Sequence, residues 1–437
     1  MLNAVRKISR AISSAGFTCQ MVGGAVRDML RGREPDDIDL VTTARPDELE
    51  KIFPDIRWAG RAFGVSLLKV DGFTFELASA RKERSYLDGR HPEEIEFSRS
   101  LEDDVIRRDF TVNALLCDPE TFEITDYVGG VQDVKNAVIR TVGVPEERFA
   151  EDALRMLRAV RFAAKTEFRI DGATFAAIKK LAANVRLLAQ ERVKCELDNI
   201  FISSRRGEAL DILLHSGLLK HVLPEVADLK GVVQEKRFHP EGDVYTHTKI
   251  MLDMMVYPDP VLAWSVLLHD TGKKYTTFTD RDGRIRAFGH EERGAKIASQ
   301  VAERLRFSVS DRDTVVKAVR DHMRMANVRE MKLAKLKKLL SAPGFPLELE
   351  LHRLDCMSSH RMMECWLYMV DKVNEIPQDQ LAPDPFVTGR ELIALGGKPG
   401  PHFKKILDAL YDAQLAGKYP SSACALADAE KMLENMR

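Results

Sequence analysis

The feature that most constrains this chain is a change of hydrophobic period near Pro145. Before it, runs at 18–22, 38–42, 65–70, 74–79, 95–98, 124–127 and 139–142 read as strands between Gly, Pro and Asp turns. Two helical stretches, 47–52 and 109–116, lie among them. Beyond Pro145 the strand signal fades, and 151–164, 173–188, 190–201 and 207–214 repeat at helical spacing. A chain that switches period this way cannot close one uniform core, so the expected fold class is α+β: a mixed-sheet head followed by helices. At ~150 residues per domain, 437 residues imply about three domains. The expected division is a head (1–145), a helical neck (146–225), a histidine-rich helical domain (226–375) and a helical tail (376–437). Residues 377–385, with three prolines, read as a linker, and a Gly/Pro turn at 396–401 precedes two further helices. There is no internal repeat.

Lys and Arg total 66 against 67 Asp and Glu, so any nucleic-acid surface must be a local patch. Six scattered cysteines without a CxxC pair fit a reducing compartment, not a disulfide framework or a thiolate zinc site. No apolar run approaches the ~20 residues of a membrane span; the most apolar, 261–268, contains Ser265 and runs into His269-Asp270. The first 27 residues carry no acid, as in some transit peptides. Ala4, Ile8, Ile12 and Phe17, however, approximate a helical stripe leading into Met21-Val22, which favours a folded first helix. The expectation is a cytoplasmic protein with no membrane and no evident protein partner.

Gly23-Gly24-Ala25-Val26-Arg27-Asp28 follows a strand and opens a helix, a geometry that lets backbone N–H groups approach phosphate. Asp37 and Asp39, two apart on an expected strand, project from one face. Carboxylates that close repel unless a cation lies between them, and Mg²⁺ takes carboxylate oxygens together with substrate phosphates. Solvated turn aspartates are the alternative, and Asp36 nearby fits it. Glu76, on a neighbouring expected strand, offers a third carboxylate. Arg107-Arg108-Asp109 places two guanidiniums at an expected helix start, suited to binding phosphate.

With GGAVRD, DDIDL, RRDFTVNA and EDALRMLRAVRF in this order and spacing, the chain resembles bacterial-type (class II) tRNA nucleotidyltransferases. These are the CCA-adding and poly(A) polymerase group of the DNA polymerase β-like superfamily. The resemblance is dense over 20–165 and weaker to the C-terminus. It implies a polymerase-β-like head in which Asp37 and Asp39 hold the catalytic Mg²⁺, while Gly24, Arg27 and Arg108 contact the nucleoside triphosphate. It implies that Asp152 and Arg155, expected on one helical face with Arg158 and Arg161 continuing it, select C and A. A carboxylate can accept from the exocyclic amine of either base while an arginine donates to the adjacent ring nitrogen. Uracil and guanine present carbonyl oxygens instead. The polar segment 82–98, expected as a loop, is shortened or absent in relatives that add only C, so its presence suggests competence for A.

Nine of the eleven histidines lie between His215 and His360. The order His247, His269-Asp270, His290, His322, Asp355 resembles HD-type metal-dependent phosphohydrolases and implies one or two divalent transition metals; Asp321 competes with Asp355 as a ligand. A basic stretch (Arg324, Arg329, Lys332, Lys335, Lys337, Lys338) and a second around Lys398 could meet tRNA phosphates. The implied function is metal-dependent addition of CMP and AMP from CTP and ATP to the tRNA 3′ end. The alternatives are an A-adding enzyme or poly(A) polymerase, or an HD phosphohydrolase whose head binds RNA.

Overall fold

The computed structural model describes residues 1–86 and 92–435. The chain forms two compact units, Met1–Ala227 and Asp228–Arg437.

Among the described residues the first unit has eleven strands, nine of them before residue 126: β1 (Cys19–Val22), β2 (Asp39–Thr42), β3 (Arg57–Gly60), β4 (Val65–Val70), β5 (Phe73–Ser79), β6 (Arg81–Tyr86), β7 (Pro92–Phe97), β8 (Leu116–Cys117) and β9 (Ile124–Thr125), with Val138–Ile139 and Arg169–Ile170 forming a short parallel pair. Seven of them form one mixed sheet in the order β3-β4-β5-β2-β1-β8-β9. The central β2 pairs antiparallel with β1 and parallel with β5. Alternation of side chains sends Leu40 and Leu77 into the core, both essentially unexposed. The helix Leu2–Ser14 buries Ala4, Val5, Ile8, Ser9 and Ile12, and full burial of each isoleucine contributes roughly 1.5–3 kcal/mol. Phe17 lies beyond this helix, so the stripe ends at Ile12.

Three expectations change. Segment 109–116 is no helix: it holds a short 3₁₀ turn, Thr111–Asn113, and leads into β8. Phe110 bridges to Thr141, and every side chain from Phe110 to Leu116 is buried. A segment buried on all sides shows no amphipathic period, so β-branched Thr111 and Val112 sit in irregular backbone. The α-helix is Leu101–Ile106, which places Arg107 and Arg108 at a helix C-terminus, where guanidinium charge complements the dipole. The flanks of the expected loop 82–98 pair as the hairpin β6–β7, and residues 87–91 lie outside the described residues.

The expected neck helix also divides. Pro145–Glu151 and Leu154–Thr166 are separate helices, because Asp152 adopts an extended conformation (φ −147°, ψ 106°) and its Oδ1 accepts from the Leu154 N–H. Gln190–Phe201 and Arg206–His215 complete this part.

The second unit is mainly helical. Asp243 and Asp259 cap the helices Val244–Asp253 and Pro260–Leu268 by accepting from backbone N–H groups of the first turn. Leu262 to Leu268 are all buried, so that helix is central. His290–Arg304, Val309–Asp321 and Phe345–Ser358 pack around it. Residues 377–385 include one short helix, Gln378–Leu381, and the tail helices Gly389–Ala394, Pro401–Leu415 and Ser422–Glu434 share a small core around Leu392, Phe403 and Leu410. Among the described residues no helix is long and apolar enough to cross a membrane.

Candidate functional site

The head carries a cleft of about 590 Å³ lined by Gly23, Gly24, Arg27, Asp37, Asp39 and Arg108 on one side and by Arg158, Arg161, Phe162 and Lys165 on the other. Its chemistry comes from register. Asp39 opens β2 opposite Val22, the residue before the glycine pair. Leu40 pairs with Leu77, so Asp39 and Glu76 each precede that pair and lie side by side on the outer face. Asp37 lies before the strand, not in it, yet still lines the cleft. Glu76 does not line it; it acts on the site through its charge. Desolvation, then Glu76 and Asp37, push the Asp39 carboxyl up to about 6 against the opposing pull of Arg108. Ionisation of a carboxylate set held this close is disfavoured by mutual repulsion, which a divalent cation would relieve, so the donor set fits Mg²⁺.

Gly23 has φ +78°, a left-handed conformation that side-chain-bearing residues rarely adopt. The position its Cβ would take lies 3.8 Å from Asp39 Oδ2 and 3.9 Å from Arg108 Nη1, so the turn sits between carboxylate and guanidinium. Arg108 is held from behind by Asp104, whose Oδ2 accepts from Nε at 3.1 Å and Nη2 at 2.9 Å. Asp104 also accepts from Arg107. Burial would raise the Asp104 carboxyl, but Arg108 and Arg107 outweigh it and hold it below its ordinary value. Arg27 is buried with its donors engaged: Nη1 on Asn113 at 2.7 Å, Nε and Nη2 on Asp28 at 3.0 Å. Asp104 and Asn113 carry no signal of their roles in the sequence, since only the fold shows which cation each holds.

On the far wall, Arg158 donates to Asp109 from Nε at 2.8 Å and Nη2 at 2.6 Å, while Arg161 lies 3.2 Å from Glu196. Both guanidiniums also lie over the Phe162 ring, at 5.2 and 4.7 Å. Asp152 and Arg155 do not share a helical face, because the helix breaks between them. Asp152 pairs with Arg192 at 2.7 Å. Arg155 is buried against Glu151 Oε2 at 2.5 Å and the carbonyls of Arg148 and Arg107. Neither lines the cleft.

The second unit gathers His247, His269, Asp270, His290, His322 and Asp355 in its interior. His247 Nε2 lies 3.1 Å from Asp355 Oδ1, and Asp270 approaches His269 at 3.2 Å, His290 at 3.3 Å and His322 at 3.8 Å. Asp321 instead pairs with Lys317 and Arg324. The close approach needs Gly272: a Cβ there would meet the His290 carbonyl oxygen at 2.0 Å, so the turn after Asp270 packs directly on the start of the next helix. The Nδ1 atoms of His269, His290 and His322 engage the carbonyls of Val266, Ala287 and Val319 at 2.8, 2.7 and 2.6 Å. Each ring thereby turns Nε2 inward. His247 Nε2 and His269 Nε2 are buried facing carboxylates without a well-aligned hydrogen bond, and with Asp270 and Asp355 they make a donor set that fits a divalent transition metal. Burial presses His322 down to about 3; for His247 it is outweighed by Asp355 and Glu241, which raise it to about 9. A cavity of about 500 Å³ opens onto Asp270, His290, His322 and Asp355. Lys273, which no sequence motif marks, lines it and bonds Gln234 at 2.8 Å and Asp270 at 2.6 Å.

The basic stretches are only partly available to RNA. Arg324 donates to buried Glu348 at 2.7 Å, and Lys338 pairs with Asp412 at 2.6 Å. Both partners come from helices distant in sequence. Among the described residues none pairs with Lys332, Lys335 or Lys398, and all three are exposed.

Three family models match the chain: the Poly A polymerase head domain over residues 19–140, the "Probable RNA and SrmB- binding site of polymerase A" over 167–230, and the HD domain over 244–346. A CCA-adding enzyme of Levilactobacillus brevis is 30% identical over 421 residues, covering 96% of this chain and 95% of the relative. The CCA-adding enzyme of Ligilactobacillus salivarius is 38% identical over 234 residues, 53% of this chain and 58% of the relative. In that match and in those to the Staphylococcus epidermidis and Leuconostoc mesenteroides enzymes, the chain spans little more than half of the relative's length. Among solved structures, the Bacillus stearothermophilus CCA-adding enzyme in complex with CTP superposes with a TM-score of 0.72 at 23% identity, over 99% of both chains. The Thermotoga maritima enzyme complexed with tRNA gives 0.58 at 19%, over 100% of this chain and 95% of that one, so the fold is shared. By its matches to these three family models and a near-full-length relative at 30% identity, the chain belongs to the family of CCA-adding enzymes.

Proposed function

We propose that this protein is a cytoplasmic nucleotidyltransferase that adds CMP and AMP from CTP and ATP to the 3′ end of tRNA. The observation that carries the reading is the placement of Asp37 and Asp39 against the Gly23-Gly24 turn and Arg108 in one cleft. Asp37 and Asp39 would hold Mg²⁺, with Glu76 reinforcing the negative potential beside them. When bound there, Mg²⁺ draws charge from the triphosphate and favours ionisation of the attacking 3′-hydroxyl. Arg108, fixed by Asp104, donates to a phosphate oxygen, and Gly24 leaves its N–H open to another. Arg27 fixes the turn through Asn113 and Asp28. Arg158 and Arg161 line the cleft itself, while Asp152 and Arg155, outside it, would read the amine and ring nitrogen of C or A once released from Arg192 and Glu151. Exposed Lys332, Lys335 and Lys398 meet the tRNA backbone, while Arg324 and Lys338 contribute mainly by shaping that surface. Residues 1–145, 146–225, 226–375 and 376–437 serve as head, neck, HD domain and tail.

Transcripts of one tRNA ending one, two and three residues short of the mature 3′ end, each given CTP or ATP alone, test this. The expected result is one A from ATP on the first transcript, one C from CTP on the second and two C from CTP on the third. Incorporation of A alone supports an A-adding enzyme or poly(A) polymerase, and no incorporation on any end refutes the reading.

The inward-turned imidazoles support a second activity, metal-dependent phosphohydrolysis at the HD centre, with one or two divalent transition metals held by His247, His269, Asp270, His290, His322 and Asp355. Hydrolysis of a 2′,3′-cyclic phosphate or phosphomonoester with Mn²⁺, Ni²⁺ or Co²⁺ tests it.

A further inference from the structure

One histidine of the HD centre is held differently from the rest. His269, His290 and His322 each place Nδ1 on a backbone carbonyl of their own local turn, three residues back. His247 places Nδ1 on a side chain, Glu241 Oε1, at 2.7 Å. The same oxygen engages His239 Nδ1 at 2.9 Å, so one carboxylate orients two rings that stand edge to face with centroids 5.0 Å apart. Glu241 is only 7% exposed in its side chain and sits in the turn leading into the helix Val244–Asp253, which carries His247. It does not line the cavity, whereas His239 does, beside Asp270 and Lys273.

We propose that Glu241 is a positioning residue of the HD centre: it fixes the ring of His247 from behind and tunes the half of the centre formed by His247, His269 and Asp355. The inference rests on the reading of this centre as a metal site. A carboxylate on the distal nitrogen of a ligating imidazole fixes its tautomer and makes the other nitrogen a stronger donor to an ion; losing such a partner typically weakens metal binding about 10- to 100-fold. A backbone carbonyl orients a ring without adding negative charge. The two halves of the centre are therefore unequal. The half made by Asp270, His290 and His322 relies on carbonyls, and the half containing His247 relies on Glu241. His239, held by the same oxygen but facing the cavity, is placed to meet the ligand and not the ion.

Cobalt(II) titration of the full-length protein, followed by calorimetry and by the visible absorption of cobalt–imidazole ligation, tests this directly. Glu241→Gln retains the shape and can still accept a hydrogen bond but loses the charge; Glu241→Ala loses both. The expected result is two imidazole-ligated ions in the wild type. One of them is weakened about tenfold in Glu241→Gln and up to about 100-fold in Glu241→Ala, the other is unchanged, and His239→Ala binds as the wild type does. Wild-type affinity in both Glu241 variants overturns the proposal. A third ion in the wild type, or loss of one in His239→Ala, also overturns it, because Glu241 and His239 would then be ligands themselves. A wild type without cobalt–imidazole absorption refutes the metal reading of the centre as well. That failure is distinct, since it needs no Glu241 variant to see it.

Discussion

Asp104 grips Arg108 through a single oxygen, Oδ2, which accepts from Nε at 3.1 Å and from Nη2 at 2.9 Å and leaves Nη1 directed at the Gly23 turn. Asp104 is fully buried and also holds Arg107, so one carboxylate is shared by two guanidiniums at the end of the helix Leu101–Ile106. Removing one partner of a buried pair leaves uncompensated charge, at a cost of about 3–5 kcal/mol. Asp104→Ala is therefore expected to lower the stability of the head by an amount in that range, measured by denaturant unfolding. Asp104→Asn, if folded, should raise KM for both CTP and ATP alike, because it loosens a phosphate contact and no base contact. Unequal effects on the two nucleotides would contradict the assignment.

The same carboxylate predicts acid sensitivity. The folded-state pKa values of Asp104 and Asp109 are depressed below their ordinary values, burial in each case being outweighed by arginines. A depressed carboxyl stabilises the fold above its unfolded value near 3.8, and that contribution is lost as pH falls from there through the folded value. Thermal unfolding between pH 5 and pH 2 should show a decline that is shallower in Asp104→Asn, which has no carboxyl to protonate.

Asp39 runs the opposite way. Its raised folded value, about 6, means that ionisation works against the fold at neutral pH in the absence of a cation. Asp39→Asn should raise Tm of the metal-free protein at pH 8 while lowering nucleotide addition by at least about 10³, as loss of a metal ligand implies. Asp37→Ala should cost activity to a similar degree. A folded variant of either kind with near-normal incorporation would contradict the metal assignment.

Base choice separates Asp152 from Arg155. The Asp152 side chain engages Arg192 and the Leu154 N–H near the surface, so Asp152→Ala should relax exclusion of UTP and GTP with little loss of Tm. Arg155 spans Glu151 and the Arg107 carbonyl, so Arg155→Ala should relax selectivity and also destabilise. Equal loss of affinity for all four triphosphates, with selectivity intact, would make the pair structural.

The basic surface divides in the same manner. Lys332→Ala, Lys335→Ala and Lys398→Ala should each weaken tRNA binding and reduce its salt dependence, by about 0.7–0.9 in log–log slope for each phosphate left without its lysine. Arg324→Ala should instead reduce stability, because Glu348, 3% exposed, would lose one of its two cations. Filter binding across a salt series, beside thermal melts, distinguishes the two.

The sequence by itself determined the elements whose cause is local. The helix Gln190–Phe201 and the strand Val65–Val70 fall where the period placed them, and the caps Asp243 and Asp259 stand at the helix starts of the histidine-rich unit. Ordered motifs were enough to bring Asp37, Asp39, Gly24 and Arg108 into one hypothesis, because short-range spacing sets which face each occupies. Tertiary structure alone decided the rest. Segment 109–116 is enclosed on every side, so no periodicity could announce its irregular backbone. The break at Asp152 follows from a hydrogen bond and an ion pair to Arg192, 40 residues away. Glu76 meets Asp39 only through the parallel register of β2 with β5, and Glu241 meets His247 only where the turn before its helix folds back. A charged side chain carries no sequence mark of its partner. Burial gives the pairing its energy, and burial is a property of the folded chain.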